Sequence, residues 1–191
     1  MVVDVRKYGS TSSEQLADAV FAIAGSRGLD AASIREIAAA AEVSIGAVQH
    51  HFTTKDELYA FAFEQLTARV RARMSAIDPQ APLTDRLIAA LSQLLPLDDE
   101  REHEARVMVS FAARAATNET LANIQHRTLA DIRRELEAQL AAANIPDPST
   151  RSAILLATVD GLALDAVSSR GLYPRGELAA ALSLHVRSLI S

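Results

Sequence analysis

The stretch from residue 44 to 55 carries side chains of the types and spacing that a DNA-reading helix uses. Its residues are mostly small or polar, namely Ser44, Gly46, Ala47, Gln49 and His50, with Ile45 among them. Such side chains suit the start of a recognition helix, because its first turns meet base edges in the major groove. Gly46 and Ala47 permit close approach of the backbone, and Gln49 can hydrogen-bond bases. We therefore expect this stretch to contact double-stranded DNA.

Two short helices must position those residues. Ser33 and Glu36 predict a capping box that opens a helix of about two turns. Ser44 is the predicted N-cap of the next helix, and Val48 and Phe52 are the apolar positions that would fix it to its neighbours. Two short helices joined by so few residues predict a helix-turn-helix.

Helix starts also supply candidate contacts to phosphate. Ser33 and Lys55 each lie where a predicted helix begins, and free N–H groups and the helix dipole favour anions there. Arg35 adds a charge in the first turn of the second helix, and Arg6 or Lys7 can reach the DNA backbone or minor groove from the N-terminal arm.

The charge balance opposes this interpretation. The chain has a formal net charge of −5, and its first 60 residues hold five basic and eight acidic side chains, a net −3. Proteins that grip nucleic acid usually carry excess Lys and Arg, so affinity must come from placement. One alternative therefore stays open: a helical adaptor with a degenerate helix-turn-helix that no longer binds DNA.

Composition and periodicity predict an all-α fold. Hydrophobic residues make up 49% of the chain and aromatics only 4%, as is typical of packed helices. We expect about nine helices: a three-helix helix-turn-helix domain over residues 1–55, and a larger ligand-binding and dimerisation domain over residues 56–191. The absence of cysteine, of a secretory signal and of an apolar run of about 20 residues predicts a soluble, cytoplasmic protein without membrane contact.

An enzyme is the least supported class. No nucleophile elbow, phosphate loop, dinucleotide fingerprint or metal-ligand spacing is present. The adjacent His50 and His51 point about 100° apart on a helix and do not share an ion easily. Neither a metal nor a cofactor is predicted, and turnover abolished by mutation of Asp160 would be needed to revive this class.

Polar and apolar side chains in the second half of the chain are candidates for a ligand cavity. They are Met108, Phe111, Arg114, His126 and Asp160. Ligand sites combine an apolar wall with few polar groups, but an apolar helical stripe is more often ordinary core and an Arg more often surface. Asp160 and Asp165 interrupt an apolar helix, either as ligand or interface contacts or as its exposed edge.

The last two predicted helices are apolar on more than one face, which requires cover on both sides. One face can meet the domain core and the other a second copy of the chain, giving a four-helix interface in a homodimer. The candidate interface residues are Leu155, Val159, Leu162, Ala166, Leu182, His185 and Leu189.

Residues 28–58 resemble the tetracycline-repressor-like (TetR) family of bacterial regulators, with caps, turn, small recognition-helix residues, a His-Phe pair and Lys-x-x-Leu in register. The resemblance implies a homodimeric repressor that a small-molecule effector releases from a palindromic operator. It implies backbone contacts by Ser33 and Arg35. It further implies that residues 45–47 and Gln49 face the DNA groove. His50, His51 and Lys55 would make the remaining DNA contacts.

Three positions depart from the pattern of that family, namely Glu42, Ile45 and Gln49. Glu42 stands where the family usually has glycine in the turn. We expect the turn either to carry a backbone cost or to take another geometry.

Overall fold

The structure is a computed structural model that describes residues 12–169 and 171–190. Arg6 and Lys7, predicted as DNA-contacting residues of the arm, lie outside the described residues. The described chain is helical and contains no strand, as expected. Its nine α-helices are α1 Ser13–Arg27, α2 Ile34–Ala40, α3 Ile45–His51, α4 Lys55–Ser75, α5 Leu83–Leu91, α6 Asp99–Ala115, α7 Glu119–Ala142, α8 Pro148–Ser168 and α9 Arg175–Ile190.

Short polar caps start most of these helices. The side chains of Ser12, Ser33, Ser44 and Thr54 accept backbone N–H bonds at the starts of α1 to α4, which satisfies donors that a helix start otherwise leaves unpaired. The reciprocal capping box predicted for α2 is wrong. The carboxylate of Glu36 instead pairs with Arg27 of α1 at 2.8 Å, because the end of α1 lies beside the start of α2.

Two hydrophobic cores fill the molecule. The head core joins α1 to α4 with one face of α6 and the start of α7. The tail core joins α5, the second half of α7, α8 and α9. The head core crosses the predicted domain boundary at residues 55 and 56, since Val107 and Phe111 of α6 belong to it. The boundary itself stays a prediction.

Candidate DNA interface and ligand cavity

The turn between α2 and α3 is a closed C-cap motif. The N–H of Val43 donates to Ala38 O at 2.9 Å, and the N–H of Glu42 donates to Ala39 O at 3.2 Å. This pair of bonds is the Schellman pattern, which needs a left-handed residue after the cap. Glu42 fills that position with φ +56°. The turn therefore keeps its geometry with a non-glycine residue and carries the backbone cost that the sequence suggested.

Helix α3 presents its predicted recognition face outward. Val48 is fully buried and fixes the helix to the head core. The residues predicted to meet DNA lie on the other face: Ser44, Ile45, Gly46, Gln49, His50 and His51 are exposed and Ala47 is half-buried. Ile45 is 45% exposed, unusual for a large aliphatic side chain. The geometry leaves this face free for a macromolecular partner.

The predicted phosphate contacts lie around this face, and their roles stay predictions. Arg35 is exposed and makes no ion pair with another described residue. Lys55 is the first residue of α4, with its ammonium 5.0 Å from the centroid of the Tyr59 ring. The Ser33 hydroxyl caps α2, while His51 Nδ1 lies 3.4 Å from Ser13 Oγ of α1.

Tyr59 is a structural residue of the head that the sequence analysis did not single out. Its ring is buried, and its hydroxyl lies 2.8 Å from each of the carbonyls of Leu29 and Ala32. Burial, with a smaller contribution from Asp30, raises the pKa of Tyr59 far above its usual value. The hydroxyl thus ties α4 to the segment that leads into α2. Because a buried Tyr usually finds a hydrogen-bond partner, a Tyr on the apolar face of α4 was the available signal.

A cavity of about 360 Å³ lies between α4, α6, α7 and α8, within the size range of small-molecule sites. Its walls are largely apolar. Two residues predicted for a ligand site, Met108 and Asp160, line it. A second groove, of about 650 Å³ and more open, lies between α4, α5 and α7.

Three other predicted ligand residues lie outside the lining of this cavity. The Phe111 ring is fully buried and stacks on Phe63 with centroids 3.8 Å apart, which agrees with the alternative that it is core. Arg114 is exposed on α6 and lines none of the described cavities. His126 lies in a shallow neighbouring groove that also reaches Asp160.

The cavity contains charged and amide side chains that sequence reasoning missed. Glu104 receives two hydrogen bonds from the Arg73 guanidinium of α4, one at 2.9 Å, and this bonding raises the pKa of Arg73. Arg101 bonds Asp98 at 2.9 Å and the Ser92 carbonyl at 3.0 Å. Helical spacing cannot reveal the pair of Arg73 and Glu104, because it joins α4 to α6, whereas Asp98 and Arg101 lie three residues apart at the start of α6, a spacing that was available as a signal.

The exposed face of α8 and α9 corrects part of the predicted dimer interface. Leu155, Val159 and Leu182 are completely buried in the tail core of one protomer and have no surface to offer a partner. Leu162, Ala166, His185 and Leu189 are half-buried, and His185 Nε2 lies 3.0 Å from Thr158 Oγ1 of α8. The exposed large apolar residues of these helices are Ile154, Leu164 and Leu184, the last 72% exposed.

Within residues 12–169 and 171–190, no three His, Cys, Asp or Glu side chains form a group that could hold a metal ion. Over the same residues no helix has the length and apolarity needed to cross a membrane.

An all-helical chain with an outward-facing second helix of a helix-turn-helix, followed by a helical domain, defines a DNA-binding transcriptional regulator. Residues 16–61 match the family model for bacterial regulatory proteins of the tetR family, and residues 83–191 match the BetI-type transcriptional repressor C-terminal model. The chain belongs to the TetR family of transcriptional regulators.

Transcriptional regulators of known sequence or structure are similar to this protein along almost its whole chain. A transcriptional regulator from Rhodococcus sp. Rha1 has a crystal structure with TM-score 0.90 and 51% identity, covering 94% of this chain and 96% of that one. The HTH-type transcriptional regulator PksA of Bacillus subtilis is 29% identical over 92% of this chain and 88% of its own. A regulator from Saccharomonospora viridis, solved in complex with choline, shares the fold at 16% identity and TM-score 0.76, covering 93% of this chain and 94% of that one.

Proposed function

We propose that this protein is a homodimeric repressor that binds a palindromic operator through α3 and is released when a small molecule occupies the cavity beside α6. Gln49, which is exposed, and Lys55, which is half-buried, support different roles at the predicted DNA interface. Gln49 lies on the recognition face, where an amide can pair with adenine. Lys55 lies at the start of α4, where a cation suits phosphate.

The proposed dimer rests on the exposed faces of α8 and α9. Ile154, Ala157, Gly161 and Leu164 follow helical spacing along the outer side of α8, and all four are exposed in the single protomer. Leu184 is the most exposed large aliphatic side chain of the described residues. An apolar face of this kind favours a two-fold partner. A two-fold places two recognition helices on half-sites separated by whole turns of DNA.

One observation carries the link between ligand and DNA: α6 faces the cavity on one side and α1 on the other. Met108 and Ala112 line the cavity. On the opposite side the ring of His103 lies directly over Gly25 of α1, and its Nε2 donates to the Phe21 carbonyl at 2.9 Å. A Cβ at residue 25 would lie 2.2 Å from His103 Cε1. A shift of α6 must therefore move α1, because no slack separates the two helices.

The regulator from Saccharomonospora viridis, which has the same fold, was solved in complex with choline. We propose that this chain also binds a small molecule. Ligand binding then selects a dimer whose recognition helices are wrongly spaced for the operator. The absence of enzymatic activity and the cytoplasmic localisation remain predictions.

The first test is selection of bound duplexes from a random DNA pool by the full-length protein. We expect an enriched inverted repeat, whose binding weakens steeply as salt rises. Failure to enrich any sequence would favour the adaptor with a degenerate helix-turn-helix.

The selected duplex then separates base reading from anchoring. We expect Gln49→Ala to change base preference and Lys55→Ala to weaken all sequences alike. Arg134→Ala, which removes a cation from the exposed surface of α7, is the control for loss of charge. Equal effects of the first two variants on every site would contradict the division of roles.

A further inference from the structure

The cavity beside α6 contains one charged side chain without a compensating partner. Arg101 and Glu104 are both engaged, the first by Asp98 and the second by Arg73. Asp160 lines the same cavity from α8 and makes no ion pair or hydrogen bond with any other described residue. The remaining charge in the lining is therefore one carboxylate.

The arginines near Asp160 bind other residues. The groove that adjoins Asp160 holds His126, Arg133, Arg134 and Glu137. Arg133 donates to Ser149 Oγ at 3.1 Å, and Arg134 pairs with Asp131 at 2.5 Å. His126 is exposed. The described cations of this groove thus leave the carboxylate to an incoming ligand.

Gln125 adds a second unpaired acceptor. It lines the cavity from α7, and its amide oxygen is fully buried without a hydrogen-bond partner. A buried acceptor left unpaired is costly, and each such group calls for an explanation such as a ligand donor. It is the only buried side-chain N or O atom of the described residues in that condition.

Apolar surroundings make an unpaired carboxylate costly. Desolvation raises the pKa of Asp160 above its ordinary value, although the residue as a whole is exposed in the protomer and water offsets part of the effect. A cation beside the carboxylate would remove this penalty.

We infer that the effector is an organic ammonium compound with an apolar body, whose charged N–H group binds Asp160 and Gln125 while the body contacts the wall around Met108 and Leu156. A positively charged ligand with N–H groups can donate hydrogen bonds to both acceptors, the Asp160 carboxylate and the Gln125 amide oxygen. A cavity of about 360 Å³ admits a molecule with one aromatic ring and a short chain. The inference rests on the proposed function, because it takes this cavity as the effector site.

Three probes with the same apolar body test the inference by titration calorimetry on the full-length protein: 4-phenylbutylamine, 4-phenylbutan-1-ol and 4-phenylbutyrate. We expect the amine to bind about tenfold more tightly than the alcohol, as a charge-assisted bond should allow, and the carboxylate to bind most weakly. An amine no tighter than the alcohol, or no binding of the amine at millimolar concentration, would overturn the inference.

Variants locate the binding group. Asp160→Asn should lower amine affinity about tenfold while leaving the alcohol within about twofold. Asp165 is also exposed on α8 but lies outside the cavity lining, so Asp165→Asn should leave both affinities unchanged. Equal loss in both variants would mean a general field effect and would contradict the assignment.

Gln125→Leu separates a binding role from a structural one. Removal of the unpaired oxygen should raise the Tm of the free protein and yet lower amine affinity. Lower Tm with unchanged affinity would contradict a ligand-facing acceptor. Fluorescence anisotropy with the selected duplex distinguishes the two proposals: amine binding without DNA release rejects the regulatory function alone, and release by the alcohol or carboxylate alone rejects the ammonium assignment alone.

Discussion

The DNA-facing head and the cavity beside α6 differ in how closely their polar groups are paired. In the head, side-chain caps start α1 to α4, and the Tyr59 hydroxyl reaches two backbone carbonyls. In the cavity, Asp160 lacks an ion-pair partner and the Gln125 oxygen lacks a hydrogen bond. Fully hydrogen-bonded polar groups suit a head that must hold a fixed recognition surface. A ligand site, in contrast, must leave polar groups free to bind the ligand.

Helix α6 joins the two regions, and one turn of it contributes residues to both the head core and the cavity wall. Phe111 stacks on Phe63 in the head core, while Met108, about one turn earlier, lines the cavity. Residues three apart are neighbours on one side of a helix, and Met108 also packs against the head core, so the head core and the cavity meet along one side of α6.

Truncation of Phe111 and of Met108 should give the greatest difference in stability. Phe111→Ala should lower the free energy of unfolding by about 3–5 kcal/mol, because it removes a fully buried ring from the core. Met108→Ala should cost less, since half-buried Met108 already borders empty space. Urea denaturation of both variants measures the difference, and a smaller loss for Phe111→Ala would place that ring on the ligand side.

The contact between α1 and α6 gives the next effect. Gly25→Ala should cost about 1–3 kcal/mol, because the new Cβ overlaps the His103 ring. In a His103→Ala background the same change should be neutral or stabilising by up to about 1 kcal/mol, since alanine is the better helix former. Denaturation of the four proteins forms a double-mutant cycle. Additive losses would show that the ring does not occupy that space in solution.

Tyr59→Phe tests the hydrogen bonding of the head by removing one hydroxyl group. We expect a loss of about 1–3 kcal/mol, because the carbonyls of Leu29 and Ala32 lose their hydroxyl partner. Thermal unfolding measures the loss, and Tyr173→Phe, at a half-buried site outside both cores, is the matched control. Equal Tm changes in the two variants would contradict a specific role for the Tyr59 hydroxyl.

Two carboxylates should give small effects of opposite sign with pH. The backbone N–H of Arg101 lowers the pKa of Asp98, the N-cap of α6, while burial raises that of Asp160. Wild type should exceed Asp98→Asn in stability at pH 7 and lose that advantage as pH falls below 3.8 through the lowered pKa. Asp160→Asn should instead exceed wild type at pH 7, and this difference should vanish as pH falls through the raised pKa toward 3.8. Thermal unfolding between pH 3 and pH 7 measures both, and parallel curves would contradict the opposite environments.

The helix-turn-helix was predictable because its signals are local. Ser44 caps α3 and Val48 anchors it within a few residues of the chain, so spacing alone predicts both. The Glu36 capping box failed because Arg27 approaches from another helix. Leu155, Val159 and Leu182 failed as interface residues for a related reason: apolar spacing does not tell which of two apolar faces meets the core.

The turn at Glu42 had two possible geometries on sequence grounds, whereas the all-α class, the helix starts and the outward polar face of α3 were predictable from the chain alone. Each of these depends on residues within about one or two helical turns of each other. The packing of the helices, by contrast, established that Phe111 is core, that Leu184 is exposed, and that Asp160 and Gln125 share one cavity. Those outcomes depend on which helices pack together, and pairing between distant elements leaves no periodic mark in the chain.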